Sequence, residues 1–194
     1  IFQGPFNNDD HFALIEFINN YHFIPPALVF SQSDQPPLYY LLSQLFYPYG
    51  AKIVQAFSLL LSICTLFVIY LLIKNIKFIN PFKLKKYCLL LACTLLQFIM
   101  FSNYISNDSL AFFIGSLISG QIFLFIKNPK LLNQIVLAVF LGLGILTKGV
   151  FLLFLPILVL LIIVVKLRKN VSVIGHIASL IIFVTIVTML GSYK

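Results

Sequence analysis

The sequence predicts an all-α polytopic membrane protein, a bundle of about six transmembrane helices with a long outer loop. The chain of 194 residues is 61% hydrophobic and only 9% charged. A soluble domain of this length has too little interior to bury so much apolar side chain. The basic residues also form short clusters between long apolar runs, and the acidic residues lie outside those clusters. Apolar runs and charge placement together indicate membrane helices joined by short connections.

Six apolar stretches are long enough to be transmembrane helices. A hydrocarbon core about 30 Å thick requires roughly 17 to 25 apolar residues per helix. The fourth and fifth stretches are nearly continuous, and Gly142, Gly144, Gly149 and Pro156 favour a break over one long helix. The predicted helices are 51–74, 87–102, 109–126, 131–147, 149–165 and 171–191.

The charges predict which connections share a side of the membrane. Ten of the 13 Lys and Arg residues lie in three alternate connections, at 74–86, 127–130 and 166–169. Basic connections of this kind face the cytoplasm, so the net charge of +8 indicates no nucleic-acid partner. All five acidic residues then face the other side: Asp9, Asp10, Glu16, Asp34 and Asp108. Carboxylates are scarce in this chain, and we expect its chemistry on the extracytoplasmic face of a plasma, inner or endoplasmic reticulum membrane.

Residues 1–50 are predicted to form the first extracytoplasmic loop, ahead of the helix bundle of residues 51–194. Asp9 or Asp10 can cap a short helix that runs to about Tyr21 and ends at Pro25-Pro26. Its apolar face would carry Phe12, Ile15, Ile18 and Phe23. Since the chain opens without Met and stops just after an apolar stretch, we expect a fragment that lacks a first membrane helix and a C-terminal part.

A second short helix is predicted from Pro36-Pro37 to about Phe46, because proline is favoured at the start of a helix. Both short helices are rich in aromatic residues, which suits amphipathic helices that lie at the membrane interface. Four tyrosines would then lie in the aromatic belt: Tyr39, Tyr40, Tyr47 and Tyr49.

Asp9 and Asp10 are the first candidates for chemistry. Adjacent carboxylates can hold a divalent metal such as Mg²⁺ or Mn²⁺, and one of them can act as a general base. Helix capping is the alternative role for both. His11 and His22 could join them as metal ligands, although their spacing matches no recognised metal site.

Asp108 and Lys148 are the next candidates, and both are predicted at the outer ends of helices. Asp108 either caps its helix or faces the same vestibule as the acidic pair. Lys148 either extends toward the lipid headgroups or binds a phosphate, with Gly149 allowing close approach.

Four short motifs occur in order along the chain: Asn8-Asp9-Asp10-His11-Phe12, Gln35-Pro36-Pro37-Leu38-Tyr39-Tyr40-Leu41-Leu42, Asn107-Asp108-Ser109-Leu110-Ala111 and Gly144-Ile145-Leu146-Thr147-Lys148-Gly149. This series resembles the GT-C glycosyltransferases, in particular the group of dolichyl-phosphate-mannose protein mannosyltransferases and aminoarabinose transferases. In that group an acidic pair opens the first outer loop and a Pro-Pro-Leu-Tyr-Tyr element follows. A second acidic residue then lies in the next outer loop, and a Leu-Thr-Lys-Gly element closes a later helix.

The resemblance implies an inverting transfer of a sugar from a polyprenyl-phosphate donor to a protein, lipid or glycan acceptor. It implies that Asp9 is the base and that Asp10 and Asp108 support catalysis or bind metal. Relatives often carry Arg where this chain has Gln55, which leaves Lys52 and Lys148 as alternatives for the phosphate-binding cation. A membrane transporter or lipid-linked-sugar flippase is the alternative function. The residues expected to bind substrate are His11, Gln35, Tyr39, Tyr40, Lys52, Gln55, Asn107 and Lys148.

Overall fold

The computed structural model describes residues 10–26, 29–30, 32–75, 86, 90, 94, 103–156 and 158–161. Every regular element within these ranges is helical, which confirms the predicted all-α class for the described part of the chain. The helices are α1 (His11–Tyr21), α2 (Leu38–Gln44), α3 (Ala51–Asn75), α4 (Asn107–Lys127) and α5 (Leu131–Thr147), with 3-10 helices at Tyr47–Tyr49 and Gly149–Leu153. The predicted helix 171–191 lies outside the described residues, as does 87–102 apart from residues 90 and 94.

Two of the described helices, α3 and α4, are long and apolar enough to cross a membrane. They have 25 and 21 residues and match the predicted stretches 51–74 and 109–126 to within two residues at each end. Helix α5 has the predicted bounds but only 17 residues. Length and composition therefore support two spanning helices in the described part of the chain, and the number six stays a prediction.

Helix α1 forms where the sequence predicts it and ends at Tyr21, as predicted. Asp10, one of the two residues predicted as its cap, occupies the N-cap position, although its side chain makes no capping hydrogen bond. The helix ends before Pro25 because His22 adopts a left-handed conformation (φ 58°) and its N–H donates to Ile18 O. Phe23 is 51% exposed, so the prediction that it shares the buried face is also wrong. The buried face instead carries His11, Leu14, Ile15 and Ile18.

Helix α2 begins after Pro36-Pro37, as predicted, and ends at Gln44 rather than Phe46. The chain then tightens into the 3-10 helix Tyr47–Tyr49. Tyr39 and Tyr40 are 0% and 1% exposed, so the prediction that they lie in an aromatic belt is wrong. Their hydroxyl groups hydrogen-bond inside the protein, which compensates for removing them from water.

Helices α4 and α5 form an antiparallel hairpin. At its closed end the Gln121 side chain donates to the backbone oxygen of Asn133 at 3.0 Å. At its open end the Asn107 side chain reaches the backbone oxygen of Thr147 at 3.4 Å. Aliphatic side chains between these ends form the centre of the core: Leu110, Ile114, Ile118, Leu137 and Leu141.

Helix α3 packs parallel to α4, and both start at the same end of the bundle. The Gln55 side chain, near the start of α3, donates to the backbone oxygen of Asn103, just before α4. Near the other end, a Cβ added at Gly120 would lie 3.1 Å from Leu72 Cδ2. The starts of α3 and α4 therefore lie beside the end of α5.

The predicted break after α5 is confirmed. Lys148 has an extended backbone (φ −157°, ψ 129°) that ends the helix. Phe151 then folds back against Gly144, so closely that a Cβ added there would lie 2.8 Å from its ring. The 149–165 stretch starts as the 3-10 helix Gly149–Leu153 and continues as helix at residues 154–156 and 158–161. Lys148 therefore lies in the break between the two helical segments.

Candidate functional site

Three distant segments meet at the end of the bundle where α3 and α4 start. The Asn107 side chain donates to Gln35 Oε1 and to the backbone oxygen of Thr147, in both cases at 3.4 Å. We call this end the mouth, and define it by Gln35, Gln55, residues 103–109 and residues 147–148. Asn107, 2% exposed, lies at the centre of these contacts. The structure thus brings together segments from three of the four motifs.

The other end of the bundle carries three of the lysines that the structure describes. Lys74 lies in the last turn of α3, and Lys127 lies in the last turn of α4. Lys130 directly precedes α5, in the same connection as Lys127. This agrees with the predicted alternation of basic and acidic connections between the two ends.

Asp108 and Lys148 form an ion pair at the mouth. The Lys148 ammonium group bonds to Asp108 Oδ1, while Ser106 Oγ donates to Asp108 Oδ2 at 3.1 Å. Ser106 Oγ also accepts from the Asp108 N–H at 3.2 Å, so Ser106 caps α4 and the cap predicted for Asp108 is wrong. The side chains of Lys148 and Asp108 are 34% and 20% exposed, so both remain accessible from the mouth. The sequence predicted both residues for this end but not that they pair.

Tyr39 links the segment that contains α1 and α2 to the bundle near the mouth. Its hydroxyl group and Ser58 Oγ of α3 are 2.7 Å apart. Burial raises the pKa of Tyr39 to about 12, although its hydrogen bond to Ser58 acts in the opposite direction. The phenol therefore stays neutral at physiological pH and acts as a fixed hydrogen-bonding group.

His11 and Tyr40 form a second buried contact between α1 and α2. His11 Nδ1 lies 2.9 Å from the Tyr40 hydroxyl oxygen, and the two rings are stacked with centroids 5.7 Å apart. His11 is only 4% exposed. These two residues join the short helices to each other, which places Asp10 of the acidic pair at the start of a firmly packed helix.

The remaining predicted site residues are more scattered. Asp9 lies outside the described residues, and Asp10 is partly buried at the start of α1. Lys52 is exposed in the first turn of α3, and Gln55 is bound to Asn103 at the mouth. In the part of the chain that the structure describes, no three His, Cys, Asp or Glu side chains group together as a metal site.

Sequence reasoning missed the supporting roles of Ser106 and Ser58. A serine two residues before Asp108, at the start of an apolar run, is a typical capping signal and indicates Ser106. Ser58 has no comparable signal, because a serine within an apolar helix usually bonds to its own backbone.

A scan against models of known protein families found no match for this chain, and searches of curated proteins and of solved structures found none either.

Proposed function

We propose that this chain belongs to a membrane glycosyltransferase that moves a sugar from a polyprenyl-phosphate donor to an acceptor on the extracytoplasmic face. The observation that carries the proposal is the Asp108–Lys148 ion pair at the mouth. It gives an otherwise apolar bundle an accessible cation at the end where the acidic connections gather. A lipid-linked phosphate requires a cation at one end of the bundle, with apolar surface nearby for the lipid tail.

Embedding in a bilayer is supported by the exposed side of α3. One face of this helix is buried, through Val54, Ser58 and Leu61 among others. The opposite side exposes large apolar side chains, including Leu60 at 54% and Phe67 at 60%. Lipid is the solvent in which such a surface is stable. We propose that the predicted stretches 87–102, 149–165 and 171–191 complete the spanning bundle with α3, α4 and α5.

Lys148 is the phosphate-binding cation in this proposal, and Asp108 is its partner in the absence of donor. A polyprenyl phosphate leaves without a general acid, but the negative charge on its oxygens has to be stabilised. Partly exposed ion pairs contribute about 1 kcal/mol or less to stability. A donor phosphate can therefore share or replace the carboxylate at the Lys148 ammonium group. Lys52, exposed in the first turn of α3, has no such arrangement around it.

Asp9 is the proposed general base, because the acceptor hydroxyl must lose its proton as it attacks the anomeric carbon. A positioned carboxylate contributes about 10²–10⁴-fold to such a step. If the enzyme uses a divalent metal, Asp9 and Asp10 are the residues that would hold it, together with donor phosphate oxygens, as is usual for Mg²⁺. The metal would then supply positive charge next to the leaving phosphate.

A transporter or flippase, the alternative function, usually carries ionisable side chains near the middle of the bilayer. The stretches 53–73, 109–126 and 131–147 contain no Asp, Glu, His, Lys or Arg. Charge is confined to the ends of these helices, which favours chemistry at one mouth over passage through the bundle.

The test compares two lysines in the reconstituted full-length protein. Lys148→Met keeps the apolar stem and removes the charge, and should raise the Michaelis constant for a polyprenyl-phosphate sugar roughly 10-fold or more. Lys52→Met is the matched control, with the same change at an exposed lysine of the same end. Equal effects of the two substitutions, or a larger effect at Lys52, would reject Lys148 as the phosphate-binding residue.

A further inference from the structure

Asn107 connects three parts of the chain through one buried amide. Its Nδ2 atom lies 3.4 Å from both Gln35 Oε1 and the backbone oxygen of Thr147, across 72 and 40 residues of sequence. Because a carbonyl oxygen only accepts, the Asn107 nitrogen must face Thr147. That nitrogen also faces Gln35, so Gln35 must present its oxygen. The direction of both hydrogen bonds is thus fixed by Thr147.

The residues next to this amide are the members of the ion pair. Asn107 precedes Asp108, and Thr147 precedes Lys148, so two consecutive links join the start of α4 to the end of α5. The Lys148 backbone is held on both sides, since its N–H donates to Gly144 O at 2.8 Å and its carbonyl accepts from Phe151 N–H at 3.1 Å. Lys148 can still move through its own side chain or through a change in the distance between the start of α4 and the end of α5. The Asn107 contact fixes that distance.

Gln35 is a rigid partner for this contact. Its backbone N–H donates to Gln32 O at 3.1 Å, which closes a turn. The following Pro36 restricts the backbone of Gln35 to extended conformations. Helix α2 follows directly and is fixed by the buried Tyr39 and Tyr40. The side chain of Gln35 therefore projects from a held loop toward the bundle.

We propose that Gln35 and Asn107 form a latch that fastens the outer loop to the bundle and sets the position of Lys148 for the donor phosphate. Both are positioning residues in this inference, which rests on the proposed function of Lys148. The two amides, which the sequence suggested as substrate-binding residues, hydrogen-bond to each other in the structure. The latch acts through the position of Lys148, so its loss should weaken donor binding, and turnover falls as well where the same ammonium group stabilises the leaving phosphate.

The kinetic test uses Asn107→Leu and Gln35→Leu in the reconstituted full-length protein. Gln35→Leu, which loses one hydrogen bond, should raise the Michaelis constant for the donor about fivefold, and Asn107→Leu, which loses two, should raise it at least as much. Gln35→Glu keeps an acceptor oxygen toward Asn107 and should raise the constant less than Gln35→Leu. A fall in turnover with an unchanged Michaelis constant would overturn the latch, and so would equal effects of Gln35→Glu and Gln35→Leu.

A second measurement requires no activity and separates the latch from the proposed function. An amine-acylating reagent is applied to the protein without donor, and modification of Lys148 is followed by mass spectrometry with Lys52 as the internal reference. Asn107→Leu should change the rate at Lys148 about fivefold or more relative to Lys52, since both hydrogen bonds of the amide are lost. Asn20→Leu, the same substitution at an exposed residue of α1, should leave the ratio unchanged.

The outcomes of the two measurements are distinct. An unchanged Lys148 ratio in both Asn107→Leu and Gln35→Leu would overturn the latch, whatever the enzyme does. Gln35 is only partly buried, so Gln35→Leu is expected to fold. This variant decides the test if Asn107→Leu does not fold. A parent protein that transfers no sugar would reject the proposed function, while the modification ratio would still decide whether the amides position Lys148.

Discussion

Replacing Gly144 with alanine should destabilise the junction between α5 and the 3-10 helix Gly149–Leu153, where Lys148 lies. A Cβ at this position would lie 2.8 Å from both Cγ and Cδ1 of Phe151. Phe151 is 4% exposed, so its ring has to move as a rigid group within a packed environment. Overpacking of this kind costs about 1–3 kcal/mol. The same displacement shifts the backbone next to Lys148, because Phe151 N–H donates to the Lys148 carbonyl at 3.1 Å.

Gly115→Ala is the matched control, since Gly115 faces the same ring from α4. A Cβ there would lie 3.8 Å from Phe151, which is ordinary van der Waals contact. Both glycines lie within helices, so alanine contributes about 0.5–1 kcal/mol of helix stability in each case. That term cancels between the two variants. The free energy of unfolding of Gly144→Ala should therefore fall below that of Gly115→Ala by about 1–3 kcal/mol.

The assay is reversible unfolding of the detergent-solubilised protein, with both variants measured beside the parent. A second readout is the acylation rate of Lys148, which should change in Gly144→Ala and not in Gly115→Ala. Equal unfolding free energies for the two variants would refute the close packing of Phe151 on Gly144, and with it the account of how Lys148 is directed toward the mouth.

Three further predictions test the loop, the connection to α3 and the topology. Burial raises the pKa of Tyr39 from 10.0 to about 12, so its neutral phenol contributes about 3 kcal/mol to the free energy of unfolding below pH 10, and this is lost as the pH rises to 12. Tyr39→Phe should therefore show a smaller drop in melting temperature at alkaline pH than the parent. Parallel plots of melting temperature against pH for the two proteins would contradict this. Gly50 has φ +91°, so Gly50→Ala should cost about 1–2 kcal/mol in unfolding free energy, whereas Gly149→Ala, with open space around it, should be nearly neutral. With the native cysteines replaced, Asn20→Cys should react with a membrane-impermeant thiol reagent in intact cells and Asn128→Cys should not, and the reverse pattern would reject the topology.

The sequence was sufficient to predict the helices of the described bundle, because a long apolar run can form few structures other than a helix. The bounds of α5 match the prediction, and the break at Lys148 followed from the glycines and the change of charge. The short loop helices end within about two residues of the predicted positions, at Tyr21 and Gln44. The cap of α1 was less predictable, because His22, a non-glycine residue, adopts a positive φ there.

The contacts at the mouth were beyond sequence reasoning because they join residues far apart in the chain. The motifs indicated Asp108 and Lys148 separately, but their pairing depends on the hairpin of α4 and α5. Tyr39 and Tyr40 show the same limit. A Tyr-Tyr pair in an amphipathic helix suits a membrane interface, and only the serine and histidine partners on α3 and α1 make burial favourable.

The proposed transfer of a sugar from a lipid phosphate can be tested by measuring its products. The full-length protein, purified and reconstituted in liposomes, is given a labelled polyprenyl-phosphate sugar with candidate acceptors, and free polyprenyl phosphate is measured with the glycosylated product. The account predicts that both form in equal amounts and that Asp9→Asn abolishes them while the protein remains folded. Movement of the intact labelled lipid across the bilayer without cleavage of the sugar–phosphate bond would contradict it.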